Sequence, residues 1–349
     1  MIQQQQPTVY IDGSMGEGGG QVLRTALTLA MLKQQTIEIV NIRAKRKNPG
    51  LLRQHLTCVR AAKAICNAQV AGDELGSQAI KFSPGQICPG QYHFKIGSAG
   101  STSLVCQTVL LPLAFSNSSS TVTFEGGTHN GMSPSLTFLQ RSFLPLIQKM
   151  GISTQVIVDK LGFYPAGGGK WSLTIEPCKT LLGIELIADA ANNSEIPKQG
   201  LTISAMISQL PITIAEREIA EMRKLLDLSE NCTELVNVPT AGPGNIVNIS
   251  LSHNYHQSVF ELVGKLGVSA EKVARRTVGR YRQFVQSGAI VEEHLADQLL
   301  LPLAIAGSGC FCTTLPSQHT TTNIALIQLF NAGQFVIQSL AENRYRISL

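Results

Sequence analysis

One series of secondary-structure signals recurs along this chain, and that recurrence limits the available folds more than any single motif does. Apolar periodicity and turn residues predict a strand at 8–12, a glycine loop at 16–20, a helix over about 21–32 and a strand at 36–42. A basic loop follows, a second helix starts at Pro49 and runs to about 67, and strands near Gln69 and Ile80 close the unit. The series then returns as a strand at 92–96, a loop at 97–101, a helix through about 115, a strand at 121–125 and a loop at 126–130. A helix at 135–150 and strands at 152–158 and 170–175 complete that copy. Both copies read β-α-β-α-β-β, one sheet with two helices on one face.

A third copy is visible in its later parts: a helix at 292–306, a strand at 310–314, a helix at 319–330 and strands at 335–340 and 345–348. Its opening strand falls near 181–187, so residues 188–288 read as a small α/β domain inserted behind that strand. Insertion at a loop tip is well tolerated. The insert carries a helix at 215–226, strands around Leu235 and Ile246 and a basic helix at 269–286. The expected fold is therefore α/β (α+β), with a core of three repeats in 1–187 and 289–349.

Composition narrows the class. With 349 residues, 44% hydrophobic and 15% charged, the chain is too apolar to be mainly disordered. No uncharged apolar stretch approaches the roughly 18 residues of a bilayer span, so no membrane partner is expected. The Gln tract at 1–7 has neither a basic n-region nor an apolar h-region, and the expected compartment is the cytoplasm. None of the eight cysteines forms a C-x-x-C pair. They read as buried thiols, including Cys310 and Cys312, which strand alternation puts on one face.

A formal net charge of +5 hardly separates a nucleic-acid binder from an ordinary enzyme, but the local clusters say more. Arg43, Lys45, Arg46, Lys47 and Arg53 carry no acid among them and run into Gln54 and His55. Such a loop suits phosphate, or serves as a solvated connector. The cations of the basic helix, Lys272, Arg275, Arg276, Arg280 and Arg282, do not share one face, which favours a solvated surface over a binding stripe.

Glycine loops that open helices suit anions, because backbone N–H groups approach closely and the helix end is partially positive. The loop at 16–21 lacks the Gly-Lys-Ser/Thr of a Walker A loop and the last small residue of the dinucleotide fingerprint. Glu17 within it is an exposed turn carboxylate or the holder of a cation that bridges to phosphate. His319 precedes an apolar helix segment; at a helix N-terminus an imidazole stays neutral, as a nucleophile or as a capping-region residue. His294, Asp297 and Gln298 lie one helical turn apart, as a surface pair, a weak metal site or a polar readout of a nucleotide.

Together, Asp12 to Arg24, Ile42 to Arg46, Pro49 to His55, Gly97 to Ser101, Gly162 to Gly169 and Leu295 to Gln298 resemble the RNA 3′-terminal phosphate cyclase family over nearly the whole chain. The resemblance implies three β-α-β-α-β-β repeats, related to the C-terminal domain of a translation initiation factor and to enolpyruvyl transferases, with a small inserted α/β domain. It also implies a three-step reaction. A histidine attacks ATP at the α-phosphorus, AMP passes to an RNA 3′-phosphate, and the neighbouring 2′-OH displaces AMP to leave a 2′,3′-cyclic phosphate.

By matching motif position, the resemblance makes His319 the nucleophile, gives Glu17 the metal (Mg²⁺ or Mn²⁺) and gives Gln107 a contact to the ATP phosphates. It puts Pro134, Phe138, His294, Asp297 and Gln298 around adenosine, and Arg24, Arg43, Arg46, Gln54 and His55 at the RNA end, where guanidinium forks suit phosphate oxygens. Two positions depart from the family pattern: His294 stands where a tyrosine commonly stacks on adenine, and Asn48 where a lysine is common. A non-catalytic relative that binds RNA in ribosome assembly is the alternative; that branch lacks the histidine. An enolpyruvyl transferase, the third reading, needs no nucleotidyl histidine. No sequence signature commits the chain to an oligomeric state.

Overall fold

The computed structural model describes residues 7–187 and 200–349. The first unit contains β1 (Val9–Asp12), α1 (Gly20–Lys33), β2 (Ile37–Val40), α2 (Arg53–Cys66), β3 (Gln69–Ala71) and β4 (Ile80–Ser83). Its sheet order is β1-β2-β4-β3, with β1 parallel to β2 and the other pairs antiparallel. Parallel neighbours need a crossover rather than a hairpin, and α1 supplies it.

The second unit has β5 (Gln91–Lys95), α3 (Thr102–Ala114), β6 (Ser120–Gly126), α4 (Leu136–Phe138), a π-helical turn (Leu139–Phe143), α5 (Leu144–Lys149), β7 (Thr154–Lys160) and β8 (Gly169–Ile175). Its order β5-β6-β8-β7 repeats the first sheet strand for strand and direction for direction. The third unit opens with β9 (Glu185–Leu186). The chain then makes a separate sheet from β10 (Leu201–Ser208), α6 (Thr213–Leu226), β11 (Thr233–Asn237), β12 (Gly244–Ser252), β13 (Gln257–Val263) and α7 (Ala270–Ser287), in the order β11-β10-β12-β13. It returns with α8 (Glu293–Ala306), β14 (Cys310–Thr313), α9 (Gln318–Leu329), β15 (Val336–Ala341) and β16 (Arg344–Ser348). Here β9 pairs parallel with β14, and β16 lies antiparallel between β14 and β15, so the same topology appears a third time.

One hydrophobic cluster runs through all three repeats, with Leu27, Val105, Leu299 and Leu326 among its buried members. Helix α1 is buried almost all round from Gln21 to Met31, as expected of a helix packed by α2, α3 and α9 as well as by its own sheet. The inserted unit has its own cluster, including Ala205, Ile249 and Val278. The expected start of that insert, at 188, lies outside the described residues. Among the described residues, no helix is long and apolar enough to cross a membrane.

Several boundaries differ from expectation. The helix expected from Pro49 begins at Arg53, because residues 50 and 51 bond elsewhere: Gly50 N–H donates to the Ile42 carbonyl and Leu51 N–H to that of Ser77. The helix expected over 135–150 is interrupted by the π turn. Pro145 follows that turn and has no N–H to give residue 141, so a widened turn keeps the chain coiled there. The opening strand of the third repeat is two residues long rather than seven. Strands β10 and β13 were not anticipated at all.

The basic helix, α7, spends much of its charge inside the insert. Arg275 pairs with Glu221 at 3.4 Å, Arg282 donates to the Leu225 carbonyl at 2.5 Å, and Arg280 donates to that of Glu261 at 3.3 Å. All eight cysteines are free thiols; six are buried as expected, Cys310 and Cys312 among them, whereas Cys88 and Cys232 are partly exposed.

Candidate functional site

In each repeat a parallel strand feeds the N-terminus of a helix, so the helix starts gather at the carboxyl ends of the strands, where ligands of open α/β sheets bind. The starts of α1, α8 and α9 meet a cavity of about 1150 Å³, one wall of which comes from β13 and α7 of the insert. This cavity is lined by His319, Arg24, Gln107, Pro134, Phe138, His294, Asp297 and Gln298. Eight of the thirteen expected site residues therefore share one space, although they come from the N-terminal, middle and C-terminal thirds of the chain.

His319 occupies the first turn of α9, behind the cap Ser317, whose hydroxyl accepts from the Thr320 N–H. Its side chain is 47% exposed. Partial burial holds its pKa below the usual imidazole value, and the cations of Arg24, His294 and Arg46 push the same way against Glu293. The ring is kept neutral, as a nitrogen nucleophile requires. Nδ1 lies 2.7 Å from Gln21 Oε1, and Gln21 Nε2 donates to Asp297 Oδ2 at 3.2 Å. Asn323 Nδ2 donates to the Asp297 carbonyl at 2.9 Å, and Thr25 Oγ1 donates to Asn323 Oδ1 at 2.7 Å. These bonds tie α1, α8 and α9 together beneath the histidine. Gln21, Thr25 and Asn323 were not anticipated as site residues; the only sequence signal was the position of Gln21 directly behind the glycine loop.

The cavity wall continues along α8. Glu292 caps this helix by accepting from the N–H groups of His294 and Leu295 at 2.8 and 2.6 Å. Burial drives the Asp297 carboxyl up to about 7, although His294 and Arg24 oppose that rise. For His294, desolvation disfavours the cation, but Glu292, Glu293 and Asp297 outweigh it and leave the pKa raised. Phe138 is buried at the end of α4, and the Pro134 carbonyl accepts from Ser103 Oγ at 2.5 Å. Gln107 Nε2 and Gln298 Oε1 are buried without a hydrogen-bond partner among the described residues. Unpartnered polar atoms on a cavity wall are what a bound polar ligand, such as a nucleobase or a phosphate, would satisfy.

The other five expected residues sit beside the cavity. Glu17 is nearly buried, with one oxygen paired to Arg46 and the other 3.7 Å from His319 Nδ1. The loop that carries it rests on α9: Glu17 N–H donates to Thr322 Oγ1 at 3.3 Å, and a Cβ on Gly16 would collide with that hydroxyl. His55 packs against Gly20, where a Cβ would strike its ring, and burial together with Arg24 and Arg43 depresses its pKa to about 3. Gln54 Oε1 accepts from Ser101 N–H at 2.6 Å, which ties α2 to the start of α3. Arg43 donates to the carbonyls of Asn48 at 2.6 Å and Gly50 at 3.1 Å, bracing the basic loop. Arg24 lies half-buried between the two groups, with burial lowering its pKa against the pull of Cys58 and Asp297.

Among the described residues, no group of three or more His, Cys, Asp or Glu side chains could hold a metal. The described residues therefore offer no closed cage of these side chains. A hard divalent ion that takes one carboxylate, from Glu17, and draws its remaining oxygens from phosphate and water does fit this donor set.

The arrangement offers a neutral histidine at a helix start, a guanidinium beside it, a cavity with one aromatic wall and a basic loop behind. Residues 15–337 match the family described as RNA 3′-terminal phosphate cyclase. A protein of that name from Koribacter versatilis is 45% identical over 98% of this chain and 94% of its own length. One from Salmonella enteritidis is 46% identical over 94% of each chain, and one from Ralstonia nicotianae is 42% identical over 95% of this chain and 94% of its own.

Proposed function

Because the chain belongs to the RNA 3′-terminal phosphate cyclase family, we propose that it converts an RNA 3′-terminal phosphate to a 2′,3′-cyclic phosphate at the expense of ATP, through AMP carried on His319. The observation that carries this reading is the position of His319: a ring held neutral at the start of α9, on the wall of a cavity large enough for a nucleotide.

The chemistry needs such a carrier. A 3′-phosphate monoester is a poor electrophile, and joining it to AMP creates a phosphoanhydride with a good leaving group. In the first step a lone pair of the His319 ring forms a bond to the α-phosphorus, and pyrophosphate leaves with the electrons of the broken P–O bond. An oxygen of the RNA 3′-phosphate then takes the AMP from the ring. Finally the 2′-hydroxyl attacks the 3′-phosphorus, gives up its proton and expels AMP.

Phe138, Pro134 and His294 supply walls for adenosine, with Asp297 and the unpartnered oxygen of Gln298 at its polar edge. Gln107 and Arg24, which line the same cavity, would meet the phosphates. Arg43, Arg46, Gln54 and His55, beside the cavity, would receive the RNA end, where forked donors suit phosphate. Glu17 would hold Mg²⁺ or Mn²⁺, which when bound offsets phosphate charge.

The test is incubation with α-labelled ATP and Mg²⁺ followed by denaturing electrophoresis. Wild type should retain acid-labile label that RNA ending in a 3′-phosphate releases, and His319→Ala should retain none. Folded wild type that takes no label across several metals and pH values would sink the covalent mechanism and favour an RNA-binding role without catalysis.

A further inference from the structure

A nucleophilic histidine has two ring nitrogens, and only the one without a proton can attack. Which one that is depends on what the other touches. In this protein the contact is specific. Nδ1 of His319 is 2.7 Å from Oε1 of Gln21, whereas Glu17 Oε1 is farther away, at 3.7 Å, with the other Glu17 oxygen paired to Arg46.

The amide of Gln21 is oriented by its other end. Its Nε2 donates to Asp297 Oδ2 at 3.2 Å, which leaves the amide oxygen facing the imidazole, and an amide oxygen can only accept. Gln21 is itself buried, in the first turn of α1, and the Asp297 backbone is pinned by Asn323, which is pinned in turn by Thr25. With Asp297 ionised, the run from Asp297 through Gln21 to His319 has one self-consistent set of donors and acceptors.

We infer that Gln21 is a positioning residue for His319: by accepting Nδ1–H it fixes the tautomer in which Nε2 bears the lone pair that joins the α-phosphorus. The inference rests on the adenylylation reading above for its consequence, but not for its geometry. As the Nε2–P bond forms and the P–O bond to pyrophosphate breaks, the ring gains positive charge. The proton stays on Nδ1, where the Gln21 oxygen faces it. The other tautomer would put a proton on Nε2 and leave Nδ1 facing an acceptor, with no donor for the bond.

Two variants separate this role from packing. Gln21→Met keeps the length of the side chain and removes the acceptor, whereas Gln21→Glu keeps an acceptor oxygen. The tautomer of His319 is read by two-bond ¹H–¹⁵N correlation on ¹⁵N-histidine protein without nucleotide, with signals assigned by their loss in His319→Ala. Wild type and Gln21→Glu should show the Nδ1–H pattern, and Gln21→Met a shift toward Nε2–H. At saturating α-labelled ATP, the adenylylation rate of Gln21→Met should fall about 10- to 100-fold, as for other residues that orient a reacting ligand. Its affinity for α,β-methylene-ATP should stay within about threefold, and Gln21→Glu should recover most of the rate. The Nε2–H pattern in wild type would overturn the inference, whatever the variants do. So would a Gln21→Met protein with unchanged tautomer, whether its rate is unchanged or is lost together with nucleotide affinity. Because the tautomer is read without ATP, failure of wild type to take label would strike the adenylylation reading and leave this test intact.

Discussion

Glu17 and His319 meet across the start of α9: Oε1 of Glu17 lies 3.7 Å from Nδ1 of His319, and its other oxygen is taken by Arg46. A carboxylate in that place can serve a divalent ion beside the ATP phosphates or simply hold Arg46. Glu17→Gln keeps the shape and removes the charge, which distinguishes the two. The Mg²⁺ concentration for half-maximal labelling of His319 should rise about tenfold or more. A titration in which the metal dependence is unchanged and only transfer to RNA falls would assign Glu17 to Arg46 instead.

Gly16 has φ of +56°, and a Cβ there would run into the Thr322 side chain one turn beyond His319. Gly16→Ala is thus strained twice, in its backbone and in its contact with α9. The expected cost is about 1–3 kcal/mol in denaturant-induced unfolding. Labelling of His319 should fall as well, because the loop that carries Glu17 moves. Unchanged stability would mean that the loop is not seated on α9 in solution.

In the insert, Glu218 is 0% exposed; Oε2 accepts from Asn245 Nδ2 at 2.8 Å, and Oε1 has no partner among the described residues. Burial pushes its carboxyl up to about 7, with the Asn245 bond and Arg217 opposing. The unfolded chain releases this proton near 4.5, whereas the folded chain keeps it to about 7. The folded state therefore binds more protons in that window, so stability falls as pH rises from 4.5 to 7 and the full penalty, roughly 3 kcal/mol, applies above it. Glu218→Gln should stabilise the protein at pH 8 and have little effect at pH 4. Equal gains at both would point to packing instead of charge.

The three-fold β-α-β-α-β-β pattern was legible because the elements carry their own apolar patterns: β6 alternates buried and half-buried residues from Ser120 to Gly126, and α1 is rich in buried Leu, Ala and Met from Leu23 to Met31. Strand β10 alternates as clearly, but the opening of the insert gave no repeat against which to read it. The helix expected at Pro49 starts late because Gly50 and Leu51 bond to residues 42 and 77, a tertiary contact with no local signal. The site divides in the same way. His319, Asp297 and Glu17 carry chemistry in their side-chain types, whereas Gln21 acquires its place only by meeting His319, 298 positions away.

His294 lines the cavity at the start of α8, among Glu292, Glu293 and Asp297, and lies 3.7 Å from Glu293 Oε1. Desolvation opposes its charge, but those three acids outweigh it and raise its pKa. As pH rises through that value the ring loses its charge and the acids around it lose their counterion. Anionic ATP then meets a more negative wall, so its affinity should weaken as pH rises from about 6 to 8. In His294→Gln the contribution of the ring is removed, and ATP affinity should vary less over the same range, with the remainder following Asp297. Titration calorimetry of both proteins with α,β-methylene-ATP at several pH values makes the comparison without turnover. Parallel pH curves for the two would move the dependence to another group, with Asp297, held near 7 by burial, as the next to replace.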